Sequence, residues 1–287
     1  MINDMHLKDL YLLGKENMRL HLIENPALEA SILLSKTSAI KDISEIYAYP
    51  EKELDQVKVE EFYRLMDRRI KNEPIAYITG EKEFFSRTFS INNSVLIPRP
   101  ETELLAEKVI GTMIDIDKPV VLDIGTGSGC IAVTIACEMP ASTVFASDMS
   151  RDALELAETN KEDHCPDSEL FFVLGDLADP FKDRAFDIVA SNPPYVPESE
   201  YRLLSPDVRD YEPRSSLVGG EDGLYFIRKI VAGAARVLKR GGWCLLEVGA
   251  GQSFTVETLF REAGFTEVSS VKDINNIDRV VKAQWKK

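Results

Sequence analysis

The sequence predicts an α/β fold, a mostly parallel sheet covered by helices, preceded by a small helical module. Three observations carry this. From residue 119 onward, continuous apolar runs alternate with amphipathic stretches, as strands buried on both faces alternate with the helices that cover them. A glycine cluster, "DIGTGSGC", follows directly on the first apolar run. Residues 1 to about 72 lack such runs and repeat apolar positions at spacings of three and four, the period of a helix.

The elements follow in order. "DLYLLGKENMRLHLI" and "KVEEFYRLMDRRIKN" carry charges between their apolar positions, and "ENPALEASILLSK" offers Asn25 as an N-cap with Pro26 at the first helical position. Residues 74 to 97 change character: aromatic and β-branched residues alternate with polar ones, broken at Gly80 and Asn92-Asn93, which predicts a β-hairpin bridging the two modules. "IPRPETELLAEKVIGTMI" turns on its prolines into a helix with acids in its first turn. Then "PVVLDIG", "STVFASDM", "LFFVLGD", "FDIVAS" and "WCLLEVG" read as strands. "GCIAVTIACEM", "RDALELAETNKED" (opened by Ser150), "LYFIRKIVAGAARVLKRGG" (ended by its glycine pair) and "SFTVETLFREAGF" read as helices, and the tail holds two more strands. The expected division is a helical module at 1–72, a hairpin linker at 73–98 and an α/β domain at 99–287.

The 44% hydrophobic and 29% charged residues are those of a globular chain with a sizeable core. No apolar run reaches membrane-spanning length and the amino terminus has no apolar signal core, so a cytoplasmic protein with no membrane partner is expected. The 34 basic residues against 48 acidic ones give a net charge of −14, the wrong sign for affinity built on neutralising phosphates, so no direct nucleic-acid binding is expected. Over residues 1–80 there are 11 bases and 14 acids, so the acidity lies mainly downstream. Cys130, Cys137, Cys165 and Cys244 form no C-x-x-C pair and read as small core residues, and no metal site is expected. His6, His21 and His164 lie outside every motif.

Gly125, Gly127 and Gly129 stand between the first strand and the first helix of the α/β region, where a side chain would hold a ligand off the backbone. Cys130 occupies the place of the third glycine of the dinucleotide fingerprint, which disfavours a pyrophosphate clasp and suits a smaller nucleoside. Asp148 ends the second strand, 23 residues after Gly125, where an acid can accept hydrogen bonds from both ribose hydroxyls. Asp176 ends the third, within reach of an adenine edge. Acidic walls without a lysine or arginine in the loop suit S-adenosylmethionine, a sulfonium without phosphates. Two roles are open to Asp123: meeting the ligand's amino group, or capping the turn.

"SNPPY" ends the fourth strand at its carboxyl tip, where parallel sheets place their ligands. The prolines stiffen the chain and remove two donors. The Asn192 side-chain oxygen and the Pro193 carbonyl, both fixed, are then acceptors for the two hydrogens of a conjugated –NH2 group. Holding both hydrogens aims the nitrogen lone pair at a methyl donor, and the bonds strengthen as charge develops. Pro194 stiffens the stop, and Tyr195 offers a flat face to a planar amide or base.

"NPPY" after a "DIGTGSG" loop resembles the amino-methyltransferases. "EPIAYITGEKEFFSRTFSINNSVLIPRPETE" (73–103), "YEPRSSLVGGEDGLYFIRKI" (211–230) and "GGWCLLEVGAGQ" (241–252) narrow the resemblance to the release-factor glutamine methyltransferases, the HemK/PrmC family. The resemblance spans essentially the whole chain. It implies a class I S-adenosylmethionine-dependent methyltransferase fold, Rossmann-like with a mostly parallel seven-stranded sheet. It also implies methylation at the side-chain amide nitrogen of the glutamine in the Gly-Gly-Gln loop of class I peptide-chain release factors, with S-adenosyl-L-homocysteine as product, by a monomer. Cofactor-binding roles carry over onto Gly125, Thr126, Gly127, Ser128, Gly129, Asp148, Asp176, Leu177 and Asn192, and the substrate motif onto Asn192, Pro193, Pro194 and Tyr195. Two positions depart from the family. Leu177 stands where an aromatic residue often follows the third-strand acid, and Asn275-Asn276 stand where relatives tend to have a small residue and glycine. "PRPETE" is expected to close over the cofactor, with Arg99 and Glu101 either touching it or only starting a helix. The competing readings are an amino-methyltransferase acting on adenine, cytosine or guanine, and a binding module with a degenerate cofactor pocket. The amino-terminal helices are the expected docking element for a protein substrate.

Overall fold

The structure, a computed structural model, describes residues 5–287. Two compact units emerge. The described residues up to Gly80 form one together with Pro206–Tyr211, and Glu81–Ser205 with Glu212–Lys287 form the other. The first boundary therefore falls later than the expected 72, and a segment distant in sequence joins the helical unit.

In the helical unit, α1 (Leu7–Leu20), α2 (Pro26–Lys36), α3 (Ser44–Ala48), α4 (Gln56–Ile70) and α5 (Ile75–Thr79) enclose Leu7, Leu10, Met18, Leu33, Leu34, Phe62 and Leu65. The helical spacing of these residues is what gathers them on one face of each helix. Asp55 caps α4 by accepting from Lys58 N at 2.9 Å. Pro26 opens α2 as expected, but the Asn25 side chain makes no capping bond. The buried Arg69 guanidinium of α4 is satisfied by Glu29 of α2, with Nε to Oε2 at 2.5 Å. Tyr211 donates its hydroxyl hydrogen to Lys71 O at 2.8 Å.

The expected hairpin is shorter than 74–97. Residues 75–79 form α5, closed by Gly80 in the left-handed region, and only β1 (Glu81–Phe84) and β2 (Arg87–Ser90) pair. Proline at 74 fixes a helix-starting geometry that the alternating pattern concealed. The hairpin belongs to the second unit, where the buried Asn160 accepts from Ser90 N at 2.7 Å and donates to Ser128 O at 2.8 Å.

The second unit continues with α6 (Pro100–Met113), β3 (Val120–Ile124), α7 (Cys130–Glu138), β4 (Thr143–Asp148), α8 (Arg151–His164), β5 (Leu170–Leu174) and β6 (Phe186–Ser191). After α9 (Pro206–Tyr211, of the helical unit) come α10 (Tyr225–Val237), β7 (Leu238–Glu247), α11 (Ser253–Ala263), β8 (Thr266–Lys272) and β9 (Asp278–Gln284). The seven strands run in the order β5-β4-β3-β6-β7-β9-β8, parallel from β5 through β7, with β9 antiparallel to both β7 and β8. The order reverses between β3 and β6, and at such a switch point the carboxyl ends leave a crevice for a ligand. Packing of α10 and α11 buries Leu122, Phe186, Ile227, Val237, Leu246 and Phe260 in the principal core.

The glycine pair does not end the long helix. That helix stops at Val237, and Gly241-Gly242 lie within β7, where the register against β6 jumps from Phe186↔Leu238 to Ile188↔Trp243. At this bulge a side chain would not fit at position 242, where a Cβ would stand 2.9 Å from Asp187 O, and Gly241 takes φ +86°. Among the described residues no helix is long and apolar enough to cross a membrane, and no group of three or more histidine, cysteine or acidic side chains could hold a metal.

Candidate active site

A cleft opens over the carboxyl ends of β3, β4, β5 and β6. Its lining includes Gly125, Thr126, Gly127, Ser128, Asp148, Asp176, Leu177, Asn192 and Pro194, so eight of the nine expected cofactor residues meet there. Gly129 does not line it. A Cβ there would lie 3.0 Å from Ala157 Cβ, so this glycine serves the packing of α7 on α8. At Gly125 and Gly127, φ is positive and an added Cβ would meet nothing within 4 Å, so the space before the loop is open. The loop is held by the end of β4: Gly125 N and Thr126 N donate to Ser147 O at 2.8 and 3.0 Å. Asp148 accepts from Gly127 N at 3.0 Å and from Ser150 N at 2.9 Å, which fixes the carboxylate at the rim.

Asp123 is fully buried, outside the lining, and accepts from Thr126 Oγ1 at 2.7 Å through Oδ2. Of its two open roles, the structure supports the cap of the turn. Burial, with Asp148 nearby, pushes its carboxyl up to about 7 against the pull of Thr126.

Arg99 lines the cleft, but its guanidinium is paired with Glu212 at 2.5 Å; Glu212 also accepts from Ile97 N at 3.1 Å. Among the lining residues Arg99 is the lone base, and from outside the lining Lys229 Nζ stands 3.8 Å from Asp176 Oδ2. Glu101 stays outside the lining. Ser94, Val95, Leu96 and Pro98 do line it, so the segment between the hairpin and α6 forms one wall.

At the tip of β6 the four motif residues separate. Asn192 and Pro194 line the cleft, whereas Pro193 is buried and neither it nor Tyr195 is a lining residue. Asn192 Nδ2 donates to Thr102 Oγ1 at 3.0 Å, which leaves Oδ1 as its acceptor. Tyr195 turns its hydroxyl toward Glu247 Oε1 at 3.5 Å, and its ring packs on the core. Burial, then the Glu247 charge, raises the Tyr195 phenol above its ordinary value.

The long stretches noted in the sequence brace this turn. Val196 N donates to Leu217 O and Gly219 N to Val196 O, both at 2.9 Å. A Cβ at Gly219 would stand 2.5 Å from Pro194 O, and one at Gly223 2.2 Å from Tyr195 O. Gln252 Nε2 donates to Tyr195 O at 2.9 Å while its Oε1 accepts from Gly249 N at 2.9 Å.

Sequence reasoning missed Thr102 and Glu247. Thr102 is buried at 2% exposure in the first turn of α6, and Glu247 at 1% closes β7. An acid at the end of the apolar run "CLLE" was a readable signal, because a carboxyl buried in a strand needs partners. Burial pushes Glu247 up to about 7, with Glu101 adding and Thr102, Arg279 and Tyr195 opposing.

Known proteins match over most of the chain. Residues 10–80 match the family model described as PrmC N-terminal domain, and residues 100–204 the one described as Methyltransferase small domain. A release factor glutamine methyltransferase of Geobacter sulfurreducens is 41% identical over 259 residues, 90% of this chain and 89% of that protein. One from Caulobacter vibrioides is 36% identical over 268 residues, 93% and 92% of the two chains. A crystal structure of a methyltransferase from Pyrococcus furiosus covers 78% of this chain and 99% of its own at a TM-score of 0.53 and 19% identity, a likeness of fold.

Proposed function

The chain belongs to the release factor glutamine methyltransferase family, and from that membership we propose that it methylates the side-chain amide nitrogen, N5, of the glutamine in the Gly-Gly-Gln motif of class I peptide-chain release factors. The methyl donor is S-adenosyl-L-methionine and the co-product S-adenosyl-L-homocysteine. The observation that carries this reading is the Asn192 side chain: its nitrogen is committed to Thr102, so its oxygen is the acceptor at the cleft, beside an open glycine loop.

The residues present suit this cofactor. The open space before Gly125 and Gly127 admits a nucleoside, Asp148 stands where ribose hydroxyls would donate, and a lining that carries two acids and, among the described residues, a single base already paired with Glu212 suits a sulfonium better than a phosphate. When bound, S-adenosylmethionine supplies an electrophilic methyl group.

The chain's own work is positioning. An amide nitrogen is a poor nucleophile because its lone pair is delocalised into the carbonyl. In this reading Asn192 Oδ1 accepts one of its hydrogens at the cleft, and the buried Pro193 must present its carbonyl to the other; the pair turns the lone pair toward the methyl and binds more strongly as positive charge develops on nitrogen. The bound donor would supply the methyl group with its sulfur keeping the electron pair of the broken bond, and the methylated nitrogen would release one proton to solvent. Tyr195 backs the turn, with its carbonyl held by Gln252. Neither a histidine nor a metal enters these steps.

The helical unit is the docking element for the protein substrate. Leu20 and Leu22, 62% and 89% exposed, and Tyr49 give it apolar surface that a protein partner would cover.

Incubating the enzyme with labelled donor and, separately, a class I release factor, DNA and ribosomal RNA tests the assignment. Label is expected in the release factor alone. Label in nucleic acid and not in the release factor would transfer the site to the exocyclic amines of bases.

A further inference from the structure

Outside the groups already given a role, the least explained is the Glu247 carboxyl. It is a charged side chain 1% exposed at the carboxyl end of β7, and its Oε2 has no hydrogen-bond partner among the described residues. An isolated carboxyl is costly to bury, so what surrounds it is informative. The Tyr195 hydroxyl lies 3.5 Å from Oε1, and the buried Thr102 hydroxyl is near enough to favour the ionised carboxyl against the effect of burial. Both also touch the methyl-acceptor motif: Tyr195 is its last residue, and Thr102 Oγ1 accepts from Asn192 Nδ2 at 3.0 Å.

A hydroxyl has one hydrogen to give. If Thr102 gives it to the Glu247 carboxylate, its oxygen is left as an acceptor, and only the nitrogen end of the Asn192 amide can face it. The oxygen end must then face the cleft. From these positions we infer that Glu247 is a positioning residue: through Thr102 it decides which way round the Asn192 amide sits, and so supplies the acceptor that the methylated nitrogen needs. The inference rests on the function proposed above and adds a residue that does not touch substrate.

Protonation of Glu247 undoes the arrangement. A neutral carboxyl can donate to Thr102 Oγ1, the Thr102 hydrogen is then free to turn to the Asn192 oxygen, and the amide can rotate its nitrogen into the cleft. A donor there meets the donor hydrogens of the substrate –NH2, and transfer stops. The groups that face Glu247 are Arg279 on β9, Glu101 and Thr102 on α6, Tyr195 after β6 and Cys130 on α7. Arg279 is itself paired with Asp273 at 3.1 Å, so its charge is shared, and Glu101 works against ionisation. The raised carboxyl, at about 7, sets the pH at which the amide is released.

The test uses the full chain. In Glu247→Gln the expected result is normal folding and normal S-adenosylmethionine affinity by calorimetry. With the release factor, kcat should fall by about tenfold or more with KM unchanged, as when acceptor geometry alone is disturbed. The rise of kcat through pH 7 in the natural chain should be flat in the variant. Thr102→Val should show the same kcat loss, Thr102→Ser should restore most of it, and the double variant Thr102→Val with Glu247→Gln should be no worse than either single one. A readout independent of transfer is the Asn192 side-chain amide resonance in nitrogen-15-labelled protein, identified by its loss in Asn192→Ala. It should titrate near pH 7 and stand still in Glu247→Gln, or in Thr102→Val if the Glu247 variant does not fold. Natural kcat and pH profile in Glu247→Gln, or an Asn192 resonance that does not move between about pH 6 and 8 in the natural chain, would overturn the inference. Absence of any transfer to the release factor would count against the proposed function instead, and the amide titration would still decide this point.

Discussion

Gln252 Nε2 donates to the backbone carbonyl of Tyr195 at 2.9 Å, across a sequence separation of 57 residues. The same side chain accepts from Gly249 N, so one amide clamps the turn after β7 to the turn after β6. Replacing Gln252 by Ala leaves the Tyr195 carbonyl and Gly249 N–H unsatisfied, which costs about 1–3 kcal/mol. Denaturant unfolding should show that loss, and kcat for methyl transfer should fall while S-adenosylmethionine affinity stays near its natural value, because Gln252 does not line the cleft.

Gly129 and Gly127 separate stability from binding. At Gly129 a methyl would be strained at φ +80° and would press on Ala157 at 3.0 Å. Gly129→Ala should therefore destabilise the fold by roughly 2 kcal/mol in chemical unfolding. At Gly127 the methyl projects into open space, so Gly127→Ala carries only the backbone strain, about 1 kcal/mol, and should reveal itself in calorimetry as weakened S-adenosylmethionine binding.

Asp123 gives the fold a pH signature. Burial raises its folded carboxyl to about 7 from an ordinary 3.8. Between those values the folded chain holds a proton that the unfolded chain has released, so this group's contribution to stability falls as pH rises and is fully lost above about 7. Asn at this position does not titrate. Unfolding free energies measured from about pH 4 to 8 should show Asp123→Asn gaining on the natural chain as pH rises, by on the order of 4 kcal/mol. Parallel stability curves would contradict it.

The docking proposal predicts a separation of kinetic constants. Leu20→Ser with Leu22→Ser alters exposed side chains of the helical unit, so folding and S-adenosylmethionine binding should be unchanged. KM for the release factor should rise by about tenfold, on the scale of a lost apolar anchor, while kcat holds. An unchanged KM would move recognition elsewhere.

The sheet was legible because buried parallel strands must be apolar throughout: the runs ending at Ile124, Asp148, Leu174 and Ser191 all became strands, with the glycine loop and acids at their tips. The "VLKRGG" stretch misled, since helix and bulged strand share that composition, and only the pairing of Phe186 with Leu238 distinguishes them. The α5 turn hid within an alternating pattern because five residues are too few to display a period. Asn275-Asn276, without interpretation in the sequence, is resolved by geometry. Asn276 adopts φ +63° in the turn between β8 and β9, a conformation asparagine tolerates better than most residues in place of glycine. Thr102 and Glu247 were hidden for a different reason: their importance lies in convergence on Asn192 and Tyr195 from α6 and β7, which no local window contains.

Mass analysis of the Gly-Gly-Gln peptide of a class I release factor, after incubation with S-adenosylmethionine and either the natural chain or Asn192→Ala, bears most directly on the proposed grip of an amide nitrogen by the β6 tip. The natural chain should add one methyl, localised by fragmentation to the glutamine side chain, and the variant should add it at least about a hundredfold more slowly while still binding the cofactor. An unmodified glutamine with folded, cofactor-binding natural enzyme, or equal methylation by Asn192→Ala, would contradict it.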